Sequence, residues 1–173
     1  VGWYITELLL GNHVAVCMLY YFVADLPCLV CGGRLCKLDI CHFFSWVDLI
    51  LNEKMYLMGG VRGSWLGDVW ESEDGFTWQQ VFDSSSAGWL ARHYHTSVVF
   101  NNEMFVIGGE KSGSKFNDVW SSGDGAVWVE VVAAAPFSER SGHASLVFGN
   151  KMFVLGGAGV SDVWSSLDGG TWD

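Results

Sequence analysis

Proline is nearly missing from this 173-residue chain, with two in all, and cysteine is missing from everything after residue 41. Positive charge is scarce as well: nine Lys and Arg against nineteen Asp and Glu leave a formal net charge of -10. That balance disfavours a nucleic-acid backbone or an anionic membrane as the main partner, since both attract basic patches. A long hydrophobic run is also lacking. The best candidate, Leu8 to Ala24, is interrupted by Asn12 and His13 and falls short of the roughly 20 residues a spanning helix needs, so a membrane segment is not favoured. No basic residue precedes that run and Glu7 stands at its edge, which argues against a secretory signal. The first residue is Val rather than Met, so a fragment or processed chain is expected, and the sequence indicates no compartment.

Glycine and aromatics are abundant: 22 Gly, ten Trp and eleven Phe, in a chain that is half hydrophobic. This mixture suits short, densely packed strands joined by glycine turns and excludes general disorder. The residues are arranged in repeats. Asn52-Glu-Lys-Met-Tyr-Leu-Met-Gly-Gly60 recurs as Asn101-Asn-Glu-Met-Phe-Val-Ile-Gly-Gly109 and as Gly149-Asn-Lys-Met-Phe-Val-Leu-Gly-Gly157. A second unit follows each time, from Asp68-Val-Trp70 through Asp74-Gly75 to Trp78, from Asp118-Val-Trp120 to Trp128, and from Asp162-Val-Trp164 to Trp172. A third precedes the double glycine twice, as Arg92-His-Tyr-His95 and Arg140-Ser-Gly-His143, each running into an apolar stretch. Gly60, Gly109 and Gly157 stand 49 and then 48 residues apart.

Each unit has a physical reading. His95 to Phe100 and Met104 to Ile107 are short apolar runs that suit buried strands. The glycine pairs Gly59-Gly60, Gly108-Gly109 and Gly156-Gly157 are expected to end the second strand where backbone approaches backbone or takes positive φ. Asp-Gly at 74-75, 124-125 and 168-169 predicts a two-residue hairpin between the third and fourth strands. Trp70 with Trp78, Trp120 with Trp128, and Trp164 with Trp172 flank those hairpins and are expected to fill the space between neighbouring sheets.

The order Arg-x-x-His, apolar strand, Gly-Gly, Asp-Val-Trp-x-Ser-x-Asp-Gly-x-x-Trp resembles the kelch repeat of β-propeller proteins in the galactose oxidase-like superfamily, in its bacterial and algal variant. The resemblance covers Asn52 to Asp173. It implies an all-β fold, a partial propeller of two to three four-stranded antiparallel blades, with repeat units at about 49–91, 92–139 and 140–173 within a propeller region 49–173. A ring of this kind closes with several more blades, so remaining blades or self-association are expected. Ser-x-Asp-Gly-x-x-Trp also resembles the Asp-box of sialidases but is one residue shorter, which reads as a shared hairpin solution.

Residues 1–48 are a hydrophobic, Cys-rich segment unlike the repeats, expected to lie outside the propeller and to be helical if ordered. Its end, Trp46 to Leu51, can supply a degenerate first strand: alignment on Met55 puts Trp46 at the His95 position, with no arginine three residues earlier. Cys28-x2-Cys31-x4-Cys36-x4-Cys41 has the spacing of a zinc knuckle, and four thiolates can hold zinc. Leu29 and Leu35 depart from that pattern, so a metal is not favoured over a metal-free segment.

Within the repeats no complete catalytic set is legible. His95 and His143 share one repeat position, which favours a structural task such as a strand-end hydrogen bond, and His93 reads as an extra, loop-exposed residue. Arg92 and Arg140 likewise recur and are expected to bind turns or carboxylates such as Asp68, Asp118 or Asp162. The copper and Tyr-Cys cofactor of the galactose oxidase family cannot be assembled from residues 52–173, which contain no cysteine. No cofactor is expected. The repeats differ most at 61–67, 110–117 and 158–161, after the double glycines, and in the connections 82–91 and 132–139. Loops on a rigid scaffold are where recognition is commonly placed. The expectation is a non-catalytic module holding a protein or carbohydrate through Arg62, Trp65, Trp89, Lys111, Lys115, Phe116 and Phe137. The alternatives are part of a carbohydrate-active propeller enzyme, of oxidase or sugar mutarotase type, and a membrane-anchored or zinc-binding protein acting through residues 1–48.

Overall fold

The computed structural model describes residues 47–84 and 88–173. The four cysteines of zinc-knuckle spacing, the apolar stretch Leu8–Ala24 and the helical expectation for the first segment therefore lie outside the described residues. What is described is all β, in three antiparallel sheets. The first contains β1 (Val47–Leu51), β2 (Lys54–Val61), β3 (Trp65–Ser72) and β4 (Gln79–Phe82). The second contains β5 (Thr96–Phe100), β6 (Glu103–Lys111), β7 (Ser114–Ser122) and β8 (Val129–Val132). The third contains β9 (Ala144–Phe148), β10 (Lys151–Gly157) and β11 (Val160–Ser166). Each sheet pairs its strands in sequence order, a meander consistent with successive blades of a partial kelch propeller. The third sheet has begun a fourth strand, because Ser165 and Asp173 exchange backbone hydrogen bonds at 2.8 and 3.0 Å.

The first strands β1, β5 and β9 lie side by side, so the sheets fan out from a common inner edge. Between them are two apolar layers. Leu51, Tyr56, Met58, Val69, Phe82 and Trp89 of the first module bury against Met104, Val106 and Trp128 of the second. Val98, Phe100, Phe105, Ile107, Val119 and Phe137 bury against Met152, Val154 and Trp172 of the third. Consecutive residues of β6 thus serve opposite layers: Met104 and Val106 face one sheet, Phe105 and Ile107 the other. That is why Met104 to Ile107 is an unbroken apolar run rather than an alternating one.

Two local expectations need correction. In β2 and β6 the double glycine does not end the second strand, which runs on to Val61 and Lys111, whereas β10 does end at Gly157; all three carry a register shift there, between Ile107 and Gly109 in β6 and at the matching place in the other two. It is a bulge, and both glycines of each pair have positive φ. The Asp-Gly hairpins are also longer than two residues, spanning 73–78 between β3 and β4. Ser72 Oγ accepts from Gly75 N–H at 2.9 Å and Asp74 Oδ1 accepts from Phe76 and Thr77 N–H at 2.8 and 2.7 Å, so side chains replace the missing ladder bonds. The same contacts recur at Asp124 and Asp168. These amide donors, Thr77 first, hold the Asp74 carboxyl down at about 2.

Candidate functional site

Strands β2 and β4 run in the same direction, two antiparallel steps apart, so the β2–β3 loop and the connection to the next sheet leave at one end of the module. That end collects every segment in which the repeats differ. Its framework is an arginine that joins two sheets. Gly109 N–H donates to Arg140 O at 2.9 Å and Arg140 N–H to Phe116 O at 2.9 Å, which fastens the arginine backbone to the second sheet. Its side chain reaches the third: Arg140 Nη1 donates to Gly156 O at 2.9 Å, and the guanidinium grips Asp162 at 2.8 and 2.9 Å. Arg92 repeats this one module earlier, with its backbone tied to Gly60 and Leu66 and its side chain on Gly108 O and Asp118, at 2.6 and 2.8 Å to the carboxylate. Both arginines are fully buried. The hydrogen bonds of the Arg140 guanidinium, with one from Trp164 Nε1, drive the Asp162 carboxyl far below the usual range.

The glycines explain themselves here. A Cβ on Gly59 would stand 2.9 Å from Arg92 O and 3.0 Å from the His95 ring; on Gly108 it would stand 3.0 Å from both Arg140 O and the His143 ring. No other residue lets the arginine backbone dock.

The repeated histidines divide. His143 Nε2 is 2.7 Å from Thr96 Oγ1, which is 2.6 Å from Ser145 Oγ, so one hydroxyl ties neighbouring sheets. His95 is buried with neither ring nitrogen bonded, and Ser97 Oγ beside it in sequence is also unbonded, so the expected strand-end hydrogen bond is made by only one of the pair. Burial, aided by Arg92, lowers the His95 pKa to about 3; burial, aided by Arg140, lowers that of His143 to about 4. Both rings are neutral framework groups near neutral pH.

His93 is not loop-exposed as expected. Its backbone pairs with that of Glu110, its Nε2 is 3.5 Å from Glu110 Oε1, and Tyr94 packs on its ring at 4.4 Å between centroids. Ser141 Oγ donates to the other Glu110 oxygen at 2.7 Å. The carboxylate sits between imidazole and hydroxyl, so the serine proton goes to the carboxylate rather than to the histidine. This is a fastening of three loop residues, not the serine-to-imidazole order of an activated nucleophile.

Of the residues expected to meet a partner, Trp89 and Phe137 do not. Both are buried at the centres of the two apolar layers. Their connections turn inward, and Arg92 and Arg140 lie over them at 5.8 and 5.0 Å. Phe116 is half-buried beneath Arg92 at 4.2 Å. Trp65 and Arg62 are exposed, Lys111 is half-buried, and Lys115 Nζ donates to Ala158 O at 3.0 Å. The sequence reading missed Tyr94. It is exposed and holds φ at 53°, whereas its repeat counterpart Gly142 holds 62°. The signal was present: Arg-His-Tyr-His has a tyrosine where Arg-Ser-Gly-His has the residue that suits a left-handed backbone. Of the framework tryptophans, Trp128 and Trp172 are buried between sheets with each Nε1 bonded to its hairpin glycine oxygen, Trp120 and Trp164 pack against the layers, and Trp70 and Trp78 are only half-buried.

A family described as the Kelch motif matches residues 91–121. That stretch starts at the arginine-bearing connection and ends within β7, taking in the Arg92–Asp118 clamp. No curated protein matches the chain. The chain carries a Kelch motif at residues 91–121, and its antiparallel sheets are consistent with kelch blades.

Proposed function

We propose that this domain is a non-catalytic interaction module that holds a protein or carbohydrate partner on the end where the β2–β3 and β6–β7 loops emerge. The contact residues are Arg62, Trp65, Tyr94, Lys111 and Lys115. The observation that carries the reading is that the loops in which the repeats differ, 61–67 and 110–117, emerge at one end of a clamped scaffold. Tyr94 lies in the connection that bears Arg92, 39% exposed and packed on the His93 ring. The repeated Arg, Asp and His residues support the same reading, since in the second and third sheets the arginines and aspartates are paired with one another. Lys111, Lys115 and Arg62 place positive charge at this end of an otherwise acidic protein, which suits a partner with exposed carboxylates or hydroxyls.

The test is binding to a glycan array and to a protein panel by the wild-type chain and by Tyr94→Gly. The variant is expected to be at least as stable as wild type by thermal denaturation and to bind any selected partner tenfold or more weakly. Unchanged binding by Tyr94→Gly and by Trp65→Ala together would refute the reading.

A further inference from the structure

The loops that follow the three double glycines emerge at the same end of successive sheets, and each is accompanied by a cation. Arg62 and Lys111 stand at one and the same place in their modules, two residues beyond Gly60 and Gly109. The third loop is shorter and has Gly159 at that place. Its cation comes from the second loop, because Lys115 Nζ donates to Ala158 O at 3.0 Å in an exposed hydrogen bond. Arg62 is exposed and the two lysines are half-buried; a half-buried lysine rests its stem on the surface and keeps its charge in water.

Little within the loops neutralises these charges. Segments 61–67, 110–117 and 158–161 contain a single acidic residue, Glu110, and it is engaged by Ser141 Oγ at 2.7 Å and His93 Nε2 at 3.5 Å. Asp118 and Asp162, which follow the second and third loops, are held by Arg92 and Arg140. The connections at the same end carry Asp83 and Glu139, so the positive charge is confined to the loops and forms a track rather than a whole face. At the opposite end of the sheets the turns and hairpins expose Glu53, Glu73 and Glu103. The acidic protein is therefore polarised, with its cations set one to a loop.

Cations set out in this way suit a ligand whose own charges are sparse and regular. A nucleic-acid duplex, with a charge for about every 1.7 Å of its axis, is far denser. A polymer of uronic acids has one carboxylate on each sugar, and each sugar also has an apolar ring face. Trp65 supplies a surface for that face. It is 40% exposed, and it pairs with Val61 in the first loop as Lys115 pairs with Glu110 in the second, so it shares a loop with Arg62. Its indole combines flat apolar area with a polar N–H. We infer that the partner at this end is an acidic polysaccharide laid across the three loops, with carboxylates on Arg62, Lys111 and Lys115 and a sugar ring on Trp65. This rests on the interaction reading above and narrows its partner to one class.

Titration calorimetry of the full chain with oligogalacturonate tests this, with the methyl-esterified oligomer and poly-glutamate as comparisons. Oligogalacturonate is expected to bind, and to bind about tenfold more weakly when NaCl is raised to about 0.5 M, since contacts in solvent are screened. The ester keeps the rings without the charge and should not bind. Poly-glutamate keeps the charge without the rings and should bind about tenfold more weakly than oligogalacturonate. Arg62→Glu and Lys111→Glu should each weaken oligogalacturonate binding about tenfold with thermal unfolding unchanged, and Trp65→Ala should weaken oligogalacturonate but not poly-glutamate. Should a charge reversal disturb the fold, Lys111→Gln takes its place. No binding of oligogalacturonate or of alginate, equal binding of the ester, or wild-type affinity in Lys111→Glu would overturn the inference. Equal binding of poly-glutamate would overturn it in favour of an acidic peptide. A neutral glycan or a protein selected at this end would overturn it too, while leaving the interaction reading intact.

Discussion

At the junction of the second and third sheets, Thr96 reaches across to His143 Nε2 and Ser145, so that only the His143 Nδ1 side of the ring is left unbonded. At the junction of the first and second sheets the corresponding His95 and Ser97 are buried and left without hydrogen bonds. A parallel contrast runs through the carboxylates. Asp118 and Asp162 are clamped by arginines, whereas among the described residues Asp68 keeps only the bond from Trp70 Nε1 at 2.8 Å, and its Oδ1 is buried and unbonded. The sequence alignment has no arginine in the corresponding position upstream. The apolar layers are equivalent at both junctions, so the difference is purely polar. Hydrophobic packing sets how the sheets stack, and the hydrogen-bonded clamps are a separate contribution that one end of the molecule lacks.

The contrast breaks most sharply at the carboxylates. Asp118→Asn is expected to cost about 3–5 kcal/mol of stability, because it leaves the fully buried Arg92 without its counter-charge. Asp68→Asn is expected to cost less than about 0.5 kcal/mol, since no cation is paired with it. Urea unfolding of the two variants checks this, and equal losses would show that the clamps are not what separates the two ends. Thr96→Val should cost about 1–3 kcal/mol by orphaning His143 and Ser145, making the second junction resemble the first.

Acid supplies a test on the wild-type chain. Both histidines have folded-state pKa values well below 6.5, about 3 for His95 and about 4 for His143. Between pH 6.5 and about 4 the unfolded chain therefore binds more protons than the folded one, and stability falls as pH falls. It should be level above pH 7 and lower by roughly 1–2 kcal/mol per histidine at pH 5. Urea unfolding at pH 8 and pH 5 measures it, and His95→Phe should remove one share of the slope.

Much of the fold was legible because the repeat states it three times. Met-aromatic runs before Gly-Gly read as buried strands, as Met104 to Ile107 are; of the paired tryptophans read as inter-sheet filler, Trp128 and Trp172 are that, while Trp70 and Trp78 are only half-buried. Position within a bulge was not legible. Gly-Gly is as compatible with the end of a strand as with a kink inside one, and only the register across β6 and β7 distinguishes them. The site was read less well. Trp89 and Phe137 stand in segments of variable length, which suggested exposed loops, but those segments fold back beneath Arg92 and Arg140 and fill the layers between sheets. Tyr94 was overlooked because its peculiarity is a backbone angle, visible only beside Gly142.

By itself the sequence determined the all-β class and the three modules, since composition and a period near 49 residues leave few other ways to bury so many aromatics; it offered the repeated arginines turns or carboxylates as partners without choosing among them. Tertiary structure alone decided which chemically identical groups are satisfied. Asp68 and Asp118, or His95 and His143, cannot be told apart within their own repeat units. Their partners come from the neighbouring strand or the preceding connection, so whether a buried charge or ring is paired depends on a residue some 25 to 50 positions away that only the packed sheets bring within reach.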